Sequence, residues 1–145
     1  IPALAEANAM QRGGPSPEAL RAFSWIREHA RSDAVVIAWV DEGHRVAALT
    51  GRKNVIDSHF LLERDAKHRL HDVTRIFTTR FRVEAVRLLD LYGAGVILLT
   101  PETKARFRID TLDYAESSAC FAKTFSEGGY EVFVKHPYCE IEVVG

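Results

Sequence analysis

The chain has 145 residues, of which 47% are hydrophobic and 27% are charged, and its formal net charge is -1. These values are typical of one folded domain with a core of its own, and they exclude a disordered chain. A net charge so close to zero gives no reason to expect a nucleic-acid partner or a general attraction to anionic surfaces.

The amino-terminal segment differs from the rest of the chain. Residues 1–15 are rich in alanine and glycine, which predicts a flexible lead-in, and residues 16–145 are predicted to form a single domain. The first residue is Ile1 rather than Met, and no secretory signal pattern follows it, so we expect the chain to be cut from a longer polypeptide. No apolar run approaches the ~20 residues that cross a bilayer.

The first predicted helix begins at Ser16 and Pro17. A Ser cap, a Pro at the first position and an acid in the first turn are typical of a helix start, and apolar residues then recur at helical spacing to about Arg31. Residues 34–40 form a continuous apolar run with several β-branched side chains. This run predicts a strand that is buried on both faces.

The sequence Asp-Glu-Gly at residues 41–43 is predicted to end that strand. Residues 44–49 then predict a short helix that Gly51 terminates, and residues 55–56 predict a short second strand.

The middle of the chain is helical in pattern. Residues 61–77 and 82–92 each place apolar side chains on one helical face, and Gly93 is expected to end the second of these helices. Residues 96–99 predict a second fully apolar strand, and Thr100-Pro101-Glu102 predicts the start of another short helix.

The carboxyl-terminal segment alternates with period two. Residues 130–135 and 139–143 are predicted to be antiparallel strands of a hairpin joined by residues 136–138. The order of elements predicts an α/β fold: a small, three-layer-like sheet with a parallel core, flanking helices, and the C-terminal antiparallel β-hairpin at one edge. Ligands usually bind at the carboxyl ends of parallel strands, where residues 41–43 and 100–101 are expected to lie.

Several common functional motifs are absent from the sequence. It contains no phosphate-binding loop, no dinucleotide-binding glycine motif after a strand and no nucleophile elbow. His68 and His71 share a helical face but lack zinc-protease spacing, so we predict no metal site and expect solvated histidines.

Cys120 and Cys139 would form one bridge in an oxidising compartment or lie as two small buried residues, and we expect the second arrangement.

Positive charge is concentrated between residues 64 and 87. Such a region would suit lipid phosphates or an anionic substrate, but acids such as Glu63 and Glu84 balance it, and we expect exposed faces of amphipathic helices. The basic side chains are those of Arg64, Lys67, Arg69, Arg75, Arg80, Arg82 and Arg87.

The segment from Trp39 to Asp57 contains a pattern of residues that helix and strand formation alone do not explain. The predicted strand ends in Trp39, Asp41 and Gly43 follow it, and Arg52 and Asp57 come one short helix later. This order resembles the soluble domain of the catalytic subunit of oligosaccharyltransferase and of related multi-spanning glycosyltransferases that use lipid-linked sugars. The family shows a helix of the type "aLeWlre", then "davvlsWWDyGy", then "nR.tlaD", and later "ll.lYgvdyvlv". The matching parts of this chain are residues 19–28, 33–43, 52–57 and 88–97, and the family's closing hairpin matches residues 124–144.

The resemblance implies a function for these residues. In that family the W-W-D-x-G segment helps to recognise the hydroxyl residue of the acceptor, because an indole face packs against a methyl group and a carboxylate accepts from a hydroxyl. The implied acceptor or substrate contacts in this chain are Trp39, Asp41, Glu42, Gly43, Arg52 and Asp57. Val40 and Glu42 replace the family's second Trp and its Tyr, which allows another acceptor. Lys104 is the only candidate for the family's second acceptor-side motif, an Asp followed by a Lys.

The resemblance also implies what the chain lacks. The family's metal-binding acids and lipid-phosphate site lie in membrane-side loops, so we expect no catalytic residue, no cofactor and no metal in this domain, and no activity in isolation. The implied partners are the protein's own transmembrane region, an acceptor polypeptide or other acceptor, and a lipid-linked sugar. The implied location is the extracytoplasmic face of a membrane.

Structural roles remain open for the same residues. Trp39 would serve as a core aromatic, Asp41 as a helix cap, and Arg52 and Asp57 as an ion pair. Two other functions also remain open: a free-standing α/β ligand-binding or regulatory domain, and a small hydrolase that uses Asp41, Glu42 and His44. No nucleophile or oxyanion site supports the hydrolase.

Overall fold

The computed structural model describes residues 15–56, 65–116, 118–137 and 139, except for the side chains of Asp41 and His44. The helices are α1 (Pro17–His29), α2 (Val40–Thr50), α3 (Ala66–Thr78), α4 (Arg82–Leu91) and α5 (Pro101–Phe107). The strands are β1 (Val35–Ile37), β2 (Lys53–Asn54), β3 (Ala94–Leu99), β4 (Phe121–Glu127) and β5 (Tyr130–Lys135). None of the helices in these ranges is long and apolar enough to cross a membrane.

The five strands form one mixed sheet in the order β2-β1-β3-β5-β4. β1 runs parallel to both β2 and β3, whereas β5 is antiparallel to β3 and β4. The predicted α/β fold, with a parallel core and a C-terminal hairpin at one edge, is therefore confirmed.

Side chains of β3 alternate between two hydrophobic clusters. Val96 and Leu98 pack with residues of α1, and Ile97 and Leu99 pack with residues of α3 and α4. Successive side chains of a strand point to opposite faces, so an all-apolar strand must be covered on both. The result is the expected arrangement of helices on both sides of a sheet.

Local sequence signals define several helix ends as predicted. The Ser16 hydroxyl accepts from the Ala19 amide at 3.1 Å, and the Thr100 hydroxyl accepts from the Thr103 amide at 3.1 Å. Gly51 ends α2 with a φ of 69°, a left-handed conformation that costs glycine little. The predicted helix over residues 61–77 is observed as Ala66–Thr78, with Asp65 as its N-cap residue, and residues 61–64 lie outside the described part of the chain.

The predicted strand over residues 34–40 is wrong in its second half. β1 ends at Ile37, Trp39 occupies the N-cap position, and residues 41–43 belong to the first turn of α2 rather than to a loop. The Ala38 amide donates to the Asn54 side-chain oxygen at 3.0 Å, so the backbone leaves the strand ladder at this point. Asn54 also lies in β2, which occupies residues 53–54 instead of the predicted 55–56.

The predicted pairing of residues 130–135 with residues 139–143 is wrong. Residues 130–135 pair with the preceding residues 121–127, through a two-residue turn at Gly128 and Gly129. Both glycines have positive φ values, 59° and 85°, as a type I′ turn requires. The predicted strand over residues 139–143 falls outside the described residues except for Cys139, which is not in a strand.

The prediction of two unpaired cysteines is also wrong, because Cys120 and Cys139 form a disulfide. The chain folds back after β5: the His136 amide donates to the Cys120 carbonyl at 2.9 Å, and the Cys139 amide donates to the His136 carbonyl at 3.2 Å. These bonds bring the two Cα atoms to 5.0 Å, a separation that a disulfide spans.

Replacing Cys139 with serine is expected to lower the free energy of unfolding by about 3 kcal/mol, because the bridge closes a loop with a sequence separation of 19. Chemical denaturation with and without a reducing agent measures this change in the free energy of unfolding. Reductant should destabilise the wild type by a similar amount and leave Cys139→Ser unchanged. An equal response of both proteins to reductant would contradict the prediction.

Candidate functional site

A pocket of about 440 Å³ lies where β1 and β3 end. It is lined by residues from the first turn of α2 and from α5, namely Trp39, Glu42, Glu102, Thr103, Ala105 and Arg106. The structure thus joins the two segments that were expected to meet at the carboxyl ends of the parallel strands.

Trp39 forms one wall of this pocket and is held by other aromatic rings. Its ring meets Phe107 edge-on at a centroid distance of 5.1 Å, and Phe107 in turn stacks on Phe77 of α3 at 5.8 Å. The Arg106 guanidinium lies 5.2 Å from the centroid of the Trp39 ring, within the range of a cation–π contact. Trp39 is only 9% exposed, so the role of core aromatic that the sequence left open is observed.

The indole nitrogen of Trp39 distinguishes it from an ordinary core side chain. Its Nε1–H is buried and has no hydrogen-bond acceptor within the described part of the chain. A buried donor without an acceptor typically costs about 1–3 kcal/mol.

Charged side chains of α2 and α5 line the pocket. Glu42 is only 8% exposed, and Glu102 lines the same pocket from α5. Burial raises the pKa of the neighbouring Tyr130 hydroxyl above its ordinary value; a hydrogen bond with Ser16 and the charge of Arg45 oppose this rise, whereas the Glu102 and Glu42 carboxylates add to it.

The other residues of the W-x-D-x-G segment lie in the same helical turn. Asp41 is the second residue of α2, so it does not occupy the cap position that the structural alternative required. Gly43 is buried in the same turn. The side chains of Asp41 and His44 lie outside the described part, so only Glu42 of the alternative hydrolase set has a described side chain.

Arg52 lies away from Trp39, beyond the far end of α2. The helix has 11 residues, which corresponds to about 16 Å of length. The Arg52 guanidinium donates to the carbonyl oxygens of Thr50 at 2.9 Å, Arg27 at 3.0 Å and Ala30 at 2.9 Å, and so it binds the carbonyl end of α1. Asp57, its suggested partner, lies outside the described residues.

Lys104 points into a separate polar cluster. Its ammonium contacts the Glu131 carboxylate at 2.6 Å, and Lys123 reaches the other oxygen of that carboxylate at 3.1 Å. The Thr111 hydroxyl donates to Glu131 at 3.0 Å, and Lys123 also pairs with Glu116 at 2.6 Å. Lys104 therefore binds within the domain and does not line the Trp39 pocket.

The cluster changes the ionisation of its central carboxylate. Burial raises the pKa of Glu131, but hydrogen bonds from Lys104, Lys123 and Thr111 lower it by more, and the net pKa lies below the ordinary glutamate value. Hydrogen bonds from Lys123 and Thr111 likewise lower the pKa of Glu116.

One of the two histidines of α3 lies beside a carboxylate. His68 Nε2 lies 3.4 Å from an Asp72 oxygen, and the same carboxylate accepts from the Tyr92 hydroxyl. Burial and the Asp72 carboxylate together raise the pKa of Tyr92 above its ordinary value. Within residues 15–56, 65–116, 118–137 and 139, no three His, Cys, Asp or Glu side chains are grouped as metal ligands would be.

Sequence patterns did not identify Arg106 and Phe107 as part of the site. Both lie on α5, and the only available signal was that this helix directly follows the second parallel strand. Their contacts with Trp39 depend on how α5 packs against the end of β1.

Replacing Glu131 with glutamine is expected to destabilise the protein by about 3 kcal/mol at neutral pH, because two lysines then lose a buried counter-charge. A folded-state pKa below the unfolded value stabilises the protein above the unfolded pKa, and this stabilisation disappears as the pH falls through the folded pKa. The difference in the free energy of unfolding between the wild type and Glu131→Gln should therefore become smaller at acidic pH. Denaturation at several pH values tests this.

The matched control is Glu127→Gln, at an exposed carboxylate paired with Arg21. That change should cost less than about 1 kcal/mol. Equal losses in the two variants would contradict the assigned role of Glu131.

The comparisons with known proteins support the fold. No protein-family model matches the chain, and no curated protein matches it. Among solved structures, the chain is similar to the crystal structure of the C-terminal globular domain of oligosaccharyltransferase from Archaeoglobus fulgidus, with a TM-score of 0.64 and 16% sequence identity. The match covers 86% of this chain and 100% of that chain. The fold that the sequence resemblance implied is therefore confirmed: the chain has the fold of an oligosaccharyltransferase C-terminal globular domain.

Proposed function

We propose that this chain is the globular domain of a membrane-bound glycosyltransferase of the oligosaccharyltransferase type, where it helps to position the acceptor for transfer from a lipid-linked sugar. One observation carries the proposal. Trp39, which begins the family-like W-x-D-x-G segment, lines a pocket at the carboxyl ends of the parallel strands, and its buried indole N–H has no acceptor among the described residues.

The pocket offers chemistry that suits a hydroxyl-bearing acceptor. In this proposal the Trp39 N–H would donate to an acceptor oxygen, and the Asp41 carboxylate, at the second residue of α2, would accept from an acceptor hydroxyl. Glu42, where the family has Tyr, lines the pocket together with Glu102 and Arg106.

In this proposal the domain recognises the acceptor, and the rest of the protein catalyses the transfer of the sugar. The protein's own transmembrane region would bind the lipid-linked sugar and the divalent metal, and the acceptor, a polypeptide or another molecule, would lie between that region and the Trp39 pocket. The domain would be anchored by that region on the extracytoplasmic face of the membrane, and the isolated chain would not catalyse transfer.

A second candidate function, a ligand-binding domain, is favoured by one feature. A pocket of about 470 Å³ lies at the opposite end of the sheet, lined among others by Trp25, His29, Ala94, Val134 and Lys135. A largely apolar wall with a few polar groups is typical of small-molecule sites. If the open reading frame that encodes this chain supports no sugar transfer, a search for ligands should begin here.

Replacing Asp41 with alanine in the full open reading frame, expressed in membranes, is expected to lower transfer to an acceptor by about 10- to 100-fold. The loss corresponds to one hydrogen bond to a charged group. The measurement is the rate of transfer of a lipid-linked sugar at limiting acceptor concentration.

Asp113→Ala is the matched control, since Asp113 is an exposed carboxylate outside the pocket. It should transfer at the wild-type rate. Unchanged transfer in Asp41→Ala would show that the domain has only a structural role in the transferase, and absence of transfer by the wild type would overturn the proposal.

Replacing Trp39 with phenylalanine removes the indole N–H but keeps a ring that packs against Phe107. We expect KM for the acceptor to rise by about tenfold, the value of one hydrogen bond, with kcat little changed. Acceptor titrations measure this effect, and thermal unfolding checks the fold. An unchanged KM would exclude the indole N–H from acceptor binding.

A further inference from the structure

The turn between α3 and α4 exposes apolar side chains that the fold leaves uncovered. Phe81 is 70% exposed and Val83 is 43% exposed, and they are two of the four large hydrophobic side chains that are exposed in the described residues. We call residues 80–83 the 80–83 turn. An exposed phenylalanine next to an exposed valine is a typical feature of an interaction surface.

The same turn carries positive charge. Arg80, Arg82 and Arg87 are exposed on it and on the following turn of α4. The acids of α4 are already paired with cations of other elements: Glu84 with Arg75 at 2.9 Å, and Asp90 with Lys135 at 3.1 Å. The surface around Phe81 is therefore locally cationic although the whole chain is nearly neutral.

Other basic residues of this region are engaged within the domain. Arg75 binds Glu84, and the Arg69 guanidinium donates to the Val55 carbonyl at 3.3 Å. Arg82 contacts only a neutral partner among the contacts described for it, the Ser118 hydroxyl at 3.4 Å. The balanced amphipathic face expected from the sequence is thus observed for Arg75, whereas positive charge remains concentrated at the turn.

The backbone of the 80–83 turn is fixed at both ends. The Thr79 amide donates to the Arg75 carbonyl at 2.8 Å, the Phe81 amide to the Thr79 hydroxyl at 3.1 Å, and the Ala85 amide to the Phe81 carbonyl at 3.1 Å. Phe81 is consequently presented by a hydrogen-bonded turn, so little conformational entropy is lost when it binds.

The turn lies at the same end of the domain as the Trp39 pocket. Phe77, in the last turn of α3, stacks on Phe107, which contacts Trp39. The neighbouring Ile76 carbonyl accepts from the Tyr114 hydroxyl at 2.8 Å, which ties the same end of α3 to the segment after α5.

We propose that the 80–83 turn docks on an anionic lipid surface, with Phe81 and Val83 at the boundary of the headgroups and Arg80 and Arg82 at the lipid phosphates. Aromatic and aliphatic side chains between arginines match this boundary, because it is apolar on one side and negatively charged on the other. The inference builds on the proposed function, which places a membrane beside the domain. Docking would hold the Trp39 pocket close to the membrane surface.

Flotation of the 145-residue chain with lipid vesicles tests the proposal. Binding is expected to phosphatidylcholine vesicles that contain phosphatidylglycerol, and not to pure phosphatidylcholine. Changing Arg80 and Arg82 together to glutamine should weaken binding about 25-fold, about fivefold for each arginine. Phe81→Ser should weaken it by about tenfold or more. Added salt should weaken wild-type binding more than binding of the double variant.

Leu91→Ser is the matched control, because Leu91 is 64% exposed but lies at the other end of α4. It should bind as the wild type does, and thermal unfolding should be similar in all variants. Equal binding to neutral and anionic vesicles, or equal losses in Phe81→Ser and Leu91→Ser, would overturn the proposal. A protein partner with an acidic surface would then fit the turn better.

The vesicle experiment and the sugar-transfer experiment test the two proposals separately, because vesicle binding needs no sugar transfer. Vesicle binding by a protein that transfers no sugar would overturn only the proposed function. Sugar transfer together with no preference for anionic vesicles would overturn only the docking surface. Asp41→Ala, outside the turn, should bind vesicles like the wild type.

Discussion

Burial of both faces of β3 is the constraint on which the rest of the structure depends. The strand is paired on both edges, parallel to β1 and antiparallel to β5, so its backbone groups are satisfied within the sheet. Its side chains from Val96 to Leu99 contribute alternately to the two hydrophobic clusters. Helices must therefore cover both faces of the sheet, and the loops that remain accessible are concentrated at its two ends.

The two ends of the sheet are chemically different. At the carboxyl ends of β1 and β3, the Phe77, Phe107 and Trp39 rings join α3, α5 and the start of α2 into one aromatic contact chain. The neighbouring cluster around Glu131 anchors α5 to β5 through Lys104. At the opposite end, the Arg52 guanidinium binds the carbonyl groups of α1. The aromatic contacts and the Lys104–Glu131 pair support the Trp39 pocket rigidly, and a site that positions a ligand needs such support.

The proposed functions share the carboxyl end of the sheet. The Trp39 pocket, lined by Glu42, Glu102 and Arg106, is the proposed acceptor site, and the 80–83 turn, with an exposed phenylalanine and arginines, is the proposed lipid-docking surface. Phe77 lies between them and contacts the ring that packs against Trp39. A domain that docked through the turn would hold its acceptor pocket at a defined height above the membrane.

The sequence by itself determined that the fold is α/β, where the helices lie, and where the two apolar parallel strands begin. Apolar runs specified β1 and β3, and Ser16, Thr100 and Gly51 specified helix ends, because these signals act over three or four residues. The pair Gly128-Gly129 was also a local signal for the true hairpin, but the alternation in residues 139–143 was interpreted as the partner strand instead.

Only the tertiary structure decided contacts between distant segments. The Cys120–Cys139 bridge depends on the path of the chain after β5, and the end of β1 at Ile37 depends on the Asn54 side chain of a neighbouring strand. The rings and charges that contact Trp39 come from α5, more than 60 residues later in the chain, and Arg52 is separated from Trp39 by the length of α2. Periodicity and capping signals specify local backbone conformation, whereas these contacts depend on how the helices pack on the two faces of the sheet.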